Sequence, residues 1–128
     1  MKKITVISAV FAFTAVALGA FGAHALKERL LADGMLEVWQ TAVNYNLTHA
    51  IAAFFITFRR NETDRWLKRA GLAWVIGIFL FSGSLYALAL GGPRWLGPIT
   101  PVGGLGFLIG WGCAAWAAWQ SPTPSTSL

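Results

Sequence analysis

The chain alternates between long apolar runs and short polar breaks. Apolar residues dominate from about Ile4 to Ala23, Val38 to Phe58, Ala70 to Leu90 and Val102 to Trp119. Each run is long enough to cross roughly 30 Å of hydrocarbon as a helix. The breaks carry turn chemistry: Asp33-Gly34 in the first, the charged stretch Arg59 to Arg65 in the second, and Gly91-Gly92-Pro93 with Pro98 and Pro101 in the third. Thr100-Pro101 is a good helix start, with Thr as cap and Pro at the first helical position. The pattern predicts an all-α fold, an integral membrane bundle of four transmembrane helices over residues 1–120, followed by a disordered polar tail at 121–128, where SPTPSTSL offers nothing to pack.

Composition agrees with this picture. Of the 128 residues 56% are hydrophobic and only 12% charged, too apolar for a soluble domain of this length. The formal net charge of +5 does not point to nucleic acid, because most basic residues fall in short loops between apolar runs, as at a membrane surface. Lys2, Lys3, Arg59, Arg60, Arg65, Lys68 and Arg69 lie on one side of a four-span arrangement and Lys27, Arg29 and Arg94 on the other. The positive-inside rule therefore places both termini in the cytoplasm of a multi-pass protein. Cys113, the sole cysteine, lies in an apolar run, so no intrachain disulfide or cysteine metal cluster forms.

The first run also has the layout of a signal peptide, with Lys2-Lys3 ahead of it and Ala23-His24-Ala25 behind. About 20 apolar residues exceed the 7 to 15 of a signal core, and Ala15, Gly19 and Ala23 form a small-residue ladder suited to helix contact, so a retained span is expected. Ladders recur at Gly83, Ala87 and Gly91 and at Gly106, Gly110, Ala114 and Ala118, predicting tight packing between helices. Trp39, Trp66, Trp95, Trp116 and Trp119 fall near span ends, as an interfacial belt requires, whereas Trp74 and Trp111 sit deeper and need partners for their indole N–H groups. Between the first two spans, Leu26, Leu30 and Leu31 oppose Lys27, Glu28 and Arg29, which fits either a short surface helix or an extension of the first span.

The second run is chemically unusual. At helical spacing Gln40, Asn44 and Thr48 form one row and Thr41, Tyr45 and His49 the next. Such a polar ribbon is expected to face other helices rather than lipid, with His24, Ser82, Ser84 and Tyr86 as partners. The readings are an interhelical hydrogen-bond network or a site for a small polar ligand, a lipid headgroup or a proton around His49. His24 and His49 differ too much in depth to share an ion, so neither metal nor cofactor is expected. No Asp, Glu, Lys or Arg falls within a span, which weakens proton-coupled transport, and no carboxylate in the membrane orients His49 beside Ser82 or Ser84, so no enzyme is expected.

The stretches GAFGAHALK (Gly19–Lys27), VWQTAVNYNLTHA (Val38–Ala50), FSGSLYALALGG (Phe81–Gly92) and LGPITPVGGLGFLIGW (Leu96–Trp111) together resemble the small bacterial membrane proteins of the YgdD and YwdK type, the domain of unknown function 423 family. The resemblance implies a four-span architecture in the bacterial inner membrane and a retained first segment; it brings no catalytic residues. The chain departs from that family's pattern at Thr48, where relatives carry an aromatic residue before the histidine. The functional expectation is a structural or accessory membrane component, with the lipid bilayer and a homo-oligomer or larger complex as partners. The alternative is an oligomeric small transporter or channel, or a small-ligand or lipid-binding protein, using the polar face around His49.

Overall fold

The computed structural model describes residues 1–59 and 64–121, and no strand occurs among them. Six elements follow in order: α1 (Lys2–Ala23), α2 (Lys27–Ala32), α3 (Leu36–Arg59), α4 (Arg65–Ala89), a 3-10 turn (Arg94–Leu96) and α5 (Ile99–Gln120). The four apolar runs are the cores of the four long helices. Residues 122–128 of the expected tail and 60–63 of the basic loop lie outside the described residues. Among the described residues, three segments are long and apolar enough to cross a membrane: Lys2–Ala23, Arg65–Ala89 and Arg94–Gln120. α3 has the length, with 24 residues, but Gln40, Thr41, Asn44, Asn46, Thr48 and His49 dilute its apolar character, so three segments rather than four carry the expected hydropathy.

The long helices pack antiparallel to their neighbours in the order α1, α3, α4, α5, with only a narrow direct contact between α1 and α4. Thr5 meets Thr57 at one end of the α1–α3 pair and Gly22 lies under Trp39 at the other. Ser82 meets Ala42 between α4 and α3, while Ser84 meets Thr100 between α4 and α5. The start of α1 and the end of α5 therefore lie at the same end of the molecule. Small residues fill the inside: Ala15, Ala42, Ala50, Ala53 and Ala70 are wholly buried, while Phe13, Phe55, Phe79 and Leu108 stand mostly exposed. This inversion of size and burial is what helices packed in lipid require, since the gain comes from close backbone approach rather than from hiding apolar surface.

Glycine provides that approach, chiefly in α5. A Cβ on Gly103 would strike the backbone of Phe81, one on Gly106 would lie 3.2 Å from the Ala73 carbonyl oxygen and from Cα of Gly77, and one on Gly110 would enter the Trp74 indole. Ala114 packs on the adjoining apolar cluster of Ala50, Ala53, Trp74, Ile78 and Phe107, and Gly19 lies against Val43. The expected ladder of the third span does not work this way. Gly83 is exposed with nothing within 4 Å of a Cβ, Ala87 is half-buried, and Gly91 (φ +89°) forms the turn beyond α4. α4 instead offers Gly71 and Gly77, which lie on its buried side. Ala118 and Ala23 are likewise exposed.

Helix ends follow local chemistry. Asp64 caps α4, its Oδ1 accepting from the amides of Trp66 (3.0 Å) and Leu67 (3.2 Å). Asp64→Ala is expected to cost about 1 kcal/mol, read as a lower melting temperature of the detergent-solubilised protein; unchanged melting would deny the cap a role. Thr100 does not cap α5, which begins one residue earlier; its hydroxyl is 2.6 Å from that of Ser84. Between α1 and α3 the helix breaks at His24 (φ −126°, ψ −86°), so α2 is a separate short helix rather than an extension of α1. Its Leu30 is wholly buried beside Trp39 and Ala89, Leu31 is exposed, and Arg29 donates from Nη2 to the Leu90 carbonyl (3.0 Å).

Candidate functional site: the polar faces of α3

α3 buries Trp39, Ala42, Asn46, His49, Ala50, Ala53 and Thr57, a stripe of near-heptad spacing facing α1 and α4. The ribbon therefore divides. His49 is buried and Thr41 half-buried, but Gln40, Asn44, Tyr45 and Thr48 are exposed, contrary to the expectation that the whole ribbon faces other helices. The physical reason is angular: polar residues at positions 44, 45, 46, 48 and 49 wrap too far round the helix for its neighbours to cover them all.

The imidazole of His49 is held on both nitrogens. Nδ1 lies 2.8 Å from the Tyr45 carbonyl one turn earlier, and Nε2 accepts from Nε1 of Trp111 in α5 at 3.2 Å. A carbonyl only accepts and an indole N–H only donates, so this geometry selects the neutral tautomer protonated on Nδ1. The ring stacks on Phe107 at 3.7 Å between centroids and 12° between planes, while Trp74 approaches edge-on. Trp74 itself donates to the Phe107 carbonyl (3.3 Å), so both deep tryptophans have the partners that the sequence demanded. Tyr45 packs on Phe81 (4.6 Å), and its hydroxyl makes no hydrogen bond among the described residues. Tyr45, His49, Phe81, Phe107 and Trp111 line a groove of about 520 Å³ that opens on the outer surface of the helix bundle.

The other expected partners sit elsewhere. Ser82 donates to the Ala42 carbonyl (2.8 Å), and Ser84 bonds the Phe81 carbonyl (2.9 Å) and Thr100, so neither meets the ribbon's side chains. Tyr86 meets Nδ2 of Asn46 (3.3 Å) and packs edge-on against Trp39. Trp39 is no interfacial residue: it is buried and donates across the helix pair to the Leu18 carbonyl (2.9 Å). His24 is exposed at the end of α1, away from the others.

Asn46, Thr57 and Thr5 were not singled out from the sequence. The signal for Asn46 was its place in the series 39, 42, 46, 49, 53, marked by Ala42 and Ala53 as a close-packed face. Its Oδ1 is buried without a hydrogen-bond partner. Replacing both members of that weak pair, Asn46→Leu with Tyr86→Phe, is expected to leave melting within about 1 kcal/mol of the original or above it, because removing both partners leaves no orphan behind. A marked loss of stability would mean that the amide does more than this contact shows.

Small residues inside, large apolar ones outside and polar groups bonded across helices define a small helical integral membrane protein. The chain belongs to the family described as "Protein of unknown function (DUF423)", which matches residues 18–104. It is 41% identical to the UPF0382 membrane protein YwdK of Bacillus subtilis over 113 residues, covering 87% of this chain and 91% of that one. It is 38% identical to a UPF0382 membrane protein of Haemophilus influenzae over 120 residues (94% and 96%) and 38% identical to the UPF0382 inner membrane protein YgdD of Escherichia coli (83% and 81%). No solved structure is significantly similar to it.

Proposed function

We propose that the chain is a four-span structural or accessory component of the bacterial cytoplasmic membrane, without enzymatic activity and with both termini in the cytoplasm. The observation that carries this reading is that the reactive-looking groups are engaged in holding helices together: His49 by Tyr45 and Trp111, Ser82 by Ala42, Ser84 by Thr100. A general base needs a free lone pair facing a substrate, and the one on His49 is taken by Trp111, while Ser82 and Ser84 have hydroxyls committed to the Ala42 and Phe81 carbonyls with no base beside them. Four spans are favoured because α3 runs between α1 and α4 at about 1.5 Å per residue, roughly 36 Å, with its core-facing polar groups covered by them. Retention of α1 is supported by its packing, with Ala15 wholly buried and the Leu18 carbonyl bonded by Trp39. The cytoplasmic assignment rests on charge. Lys2, Lys3, Arg59, Arg65, Lys68 and Arg69 gather at one end, while at the other Lys27, Arg29 and Arg94 are balanced by Glu28, Asp33 and Glu37. The relative named as an inner membrane protein agrees with that compartment. Assembly with a second chain has a close-approach position left at Gly83.

A second reading, a small-ligand site, draws on the groove beside His49. Native mass spectrometry of the membrane-extracted protein separates the two. A full-length chain whose bound species, if any, are the same in His49→Ala supports the structural reading; a stoichiometric small molecule that disappears in His49→Ala replaces it.

A further inference from the structure

The outward row of α3 opens a question that the internal network does not answer. Gln40 and Asn44, both exposed, line a groove of about 370 Å³ between α1 and α3 together with Lys27, Trp39, Val43 and the small residues Gly19, Gly22 and Ala23. The side chains of Lys27, Gln40, Asn44 and Thr48 make no hydrogen bond or ion pair with any described residue. Measured from Leu36 at about 1.5 Å per residue, Gln40 lies roughly 6 Å, Asn44 roughly 12 Å and Thr48 roughly 18 Å along the helix. In a bilayer of about 40–45 Å with a core of about 30 Å, these depths run from the headgroup layer into hydrocarbon. Unpaired amides there are costly, so something beyond this chain meets them.

We propose that this groove binds an anionic phospholipid, the Lys27 ammonium and the Gln40 amide holding the phosphodiester and the Asn44 amide donating to an ester carbonyl. Two observations favour a lipid over a second copy. The first is charge: the groove has a cation at its rim and no carboxylate in its lining, so it is complementary to phosphate. The second is the order of polarity along the seam. Ile51, seven residues beyond Asn44, and Val16, seven before Ala23, lie about two turns further on, on the same sides of their helices, and both are exposed and apolar. Another seven residues lead to Phe58 and Ala9, which line an apolar groove at the far end of the same helix pair. Charge, amide, hydroxyl and hydrocarbon thus succeed one another from the surface inwards, as they do from phosphate to ester to acyl chain in a phospholipid. The inference goes beyond the structural role but rests on α3 crossing the membrane, which cysteine labelling of the segments on either side of α3 checks independently.

The test is native mass spectrometry of the full-length protein in detergent, titrated with phosphatidylglycerol or with phosphatidylcholine, for the original chain, Lys27→Glu, and Gln40→Leu with Asn44→Leu. The original chain is expected to retain one phosphatidylglycerol in preference to phosphatidylcholine, and both variants to bind it about tenfold more weakly. Because these side chains hold nothing within the chain, melting without added lipid stays unchanged, which separates lost binding from lost fold. Equal retention by the variants, equal retention of the two lipids, or displacement by millimolar inorganic phosphate alone would overturn the proposal. So would a fall from dimer to monomer in the amide double variant, which would make the face a contact between copies.

Discussion

Gly103→Leu is expected to destabilise the protein by about 3 kcal/mol or more, enough to lose the folded state in mild detergent. Even the first carbon of the new side chain would collide with the amide nitrogen of Phe81 and come within 2.8 Å of its Cα, so no rotamer change relieves it. Relief requires α4 and α5 to separate along the most extensive contact in the molecule, undoing the approach of Gly106 to Gly77 and the seating of Trp74 over Gly110. Gly112→Leu, two residues beyond Gly110 on the exposed side of α5 and with nothing within 4 Å, is the matched control and should melt within about 0.5 kcal/mol of the original. If the two variants melted alike, glycine-mediated approach would not be what holds α4 to α5.

The second large effect is expected at His49. His49→Ala removes the hydrogen bond that joins the side chains of α3 and α5, leaves the exposed Trp111 indole N–H without an acceptor, and strips the stack from Phe107. An orphaned donor and a lost ring contact together put the cost at about 2 kcal/mol. Trp111→Phe should reproduce part of that loss and add little on top of His49→Ala, since the two act through one bond. Tyr45→Phe should change melting by less than about 0.5 kcal/mol, because the hydroxyl bonds nothing among the described residues. Full additivity of His49→Ala and Trp111→Phe would show that the pair is not coupled.

The helices were legible in the sequence because apolar runs broken by Gly, Pro and charge leave little choice in lipid. The boundaries moved outward by a few residues, since Lys2, Lys3 and Arg65 to Arg69 continue a helical ladder into the interface without cost to its hydrogen bonds. What the sequence did not carry was rotation. A ladder such as Gly83–Ala87 and one such as Gly106–Gly110 look alike as text, yet one is open and the other is buried, because which side of a helix meets a neighbour depends on the packing of all of them. The same uncertainty placed Trp39 in an aromatic belt when it is a core residue, and drew His24 towards a network it does not enter. His49 was visible as an unusual residue at mid-span. Its partner Trp111 was visible only as an indole in need of an acceptor, and joining the two required the α3–α5 geometry.

On the proposed four-span arrangement α3, the least apolar long helix, crosses the membrane with its buried polar groups covered by its neighbours. Single cysteines introduced into a Cys113→Ser background at Lys3, Asp33, Asn61, Trp95 and Ser121, probed in intact cells with a membrane-impermeant thiol reagent, test it most directly. Asp33→Cys and Trp95→Cys are expected to label from outside, whereas Lys3→Cys, Asn61→Cys and Ser121→Cys label only after the membrane is opened. Labelling of Asp33→Cys and Asn61→Cys from the same side would contradict it, because α3 would then not span.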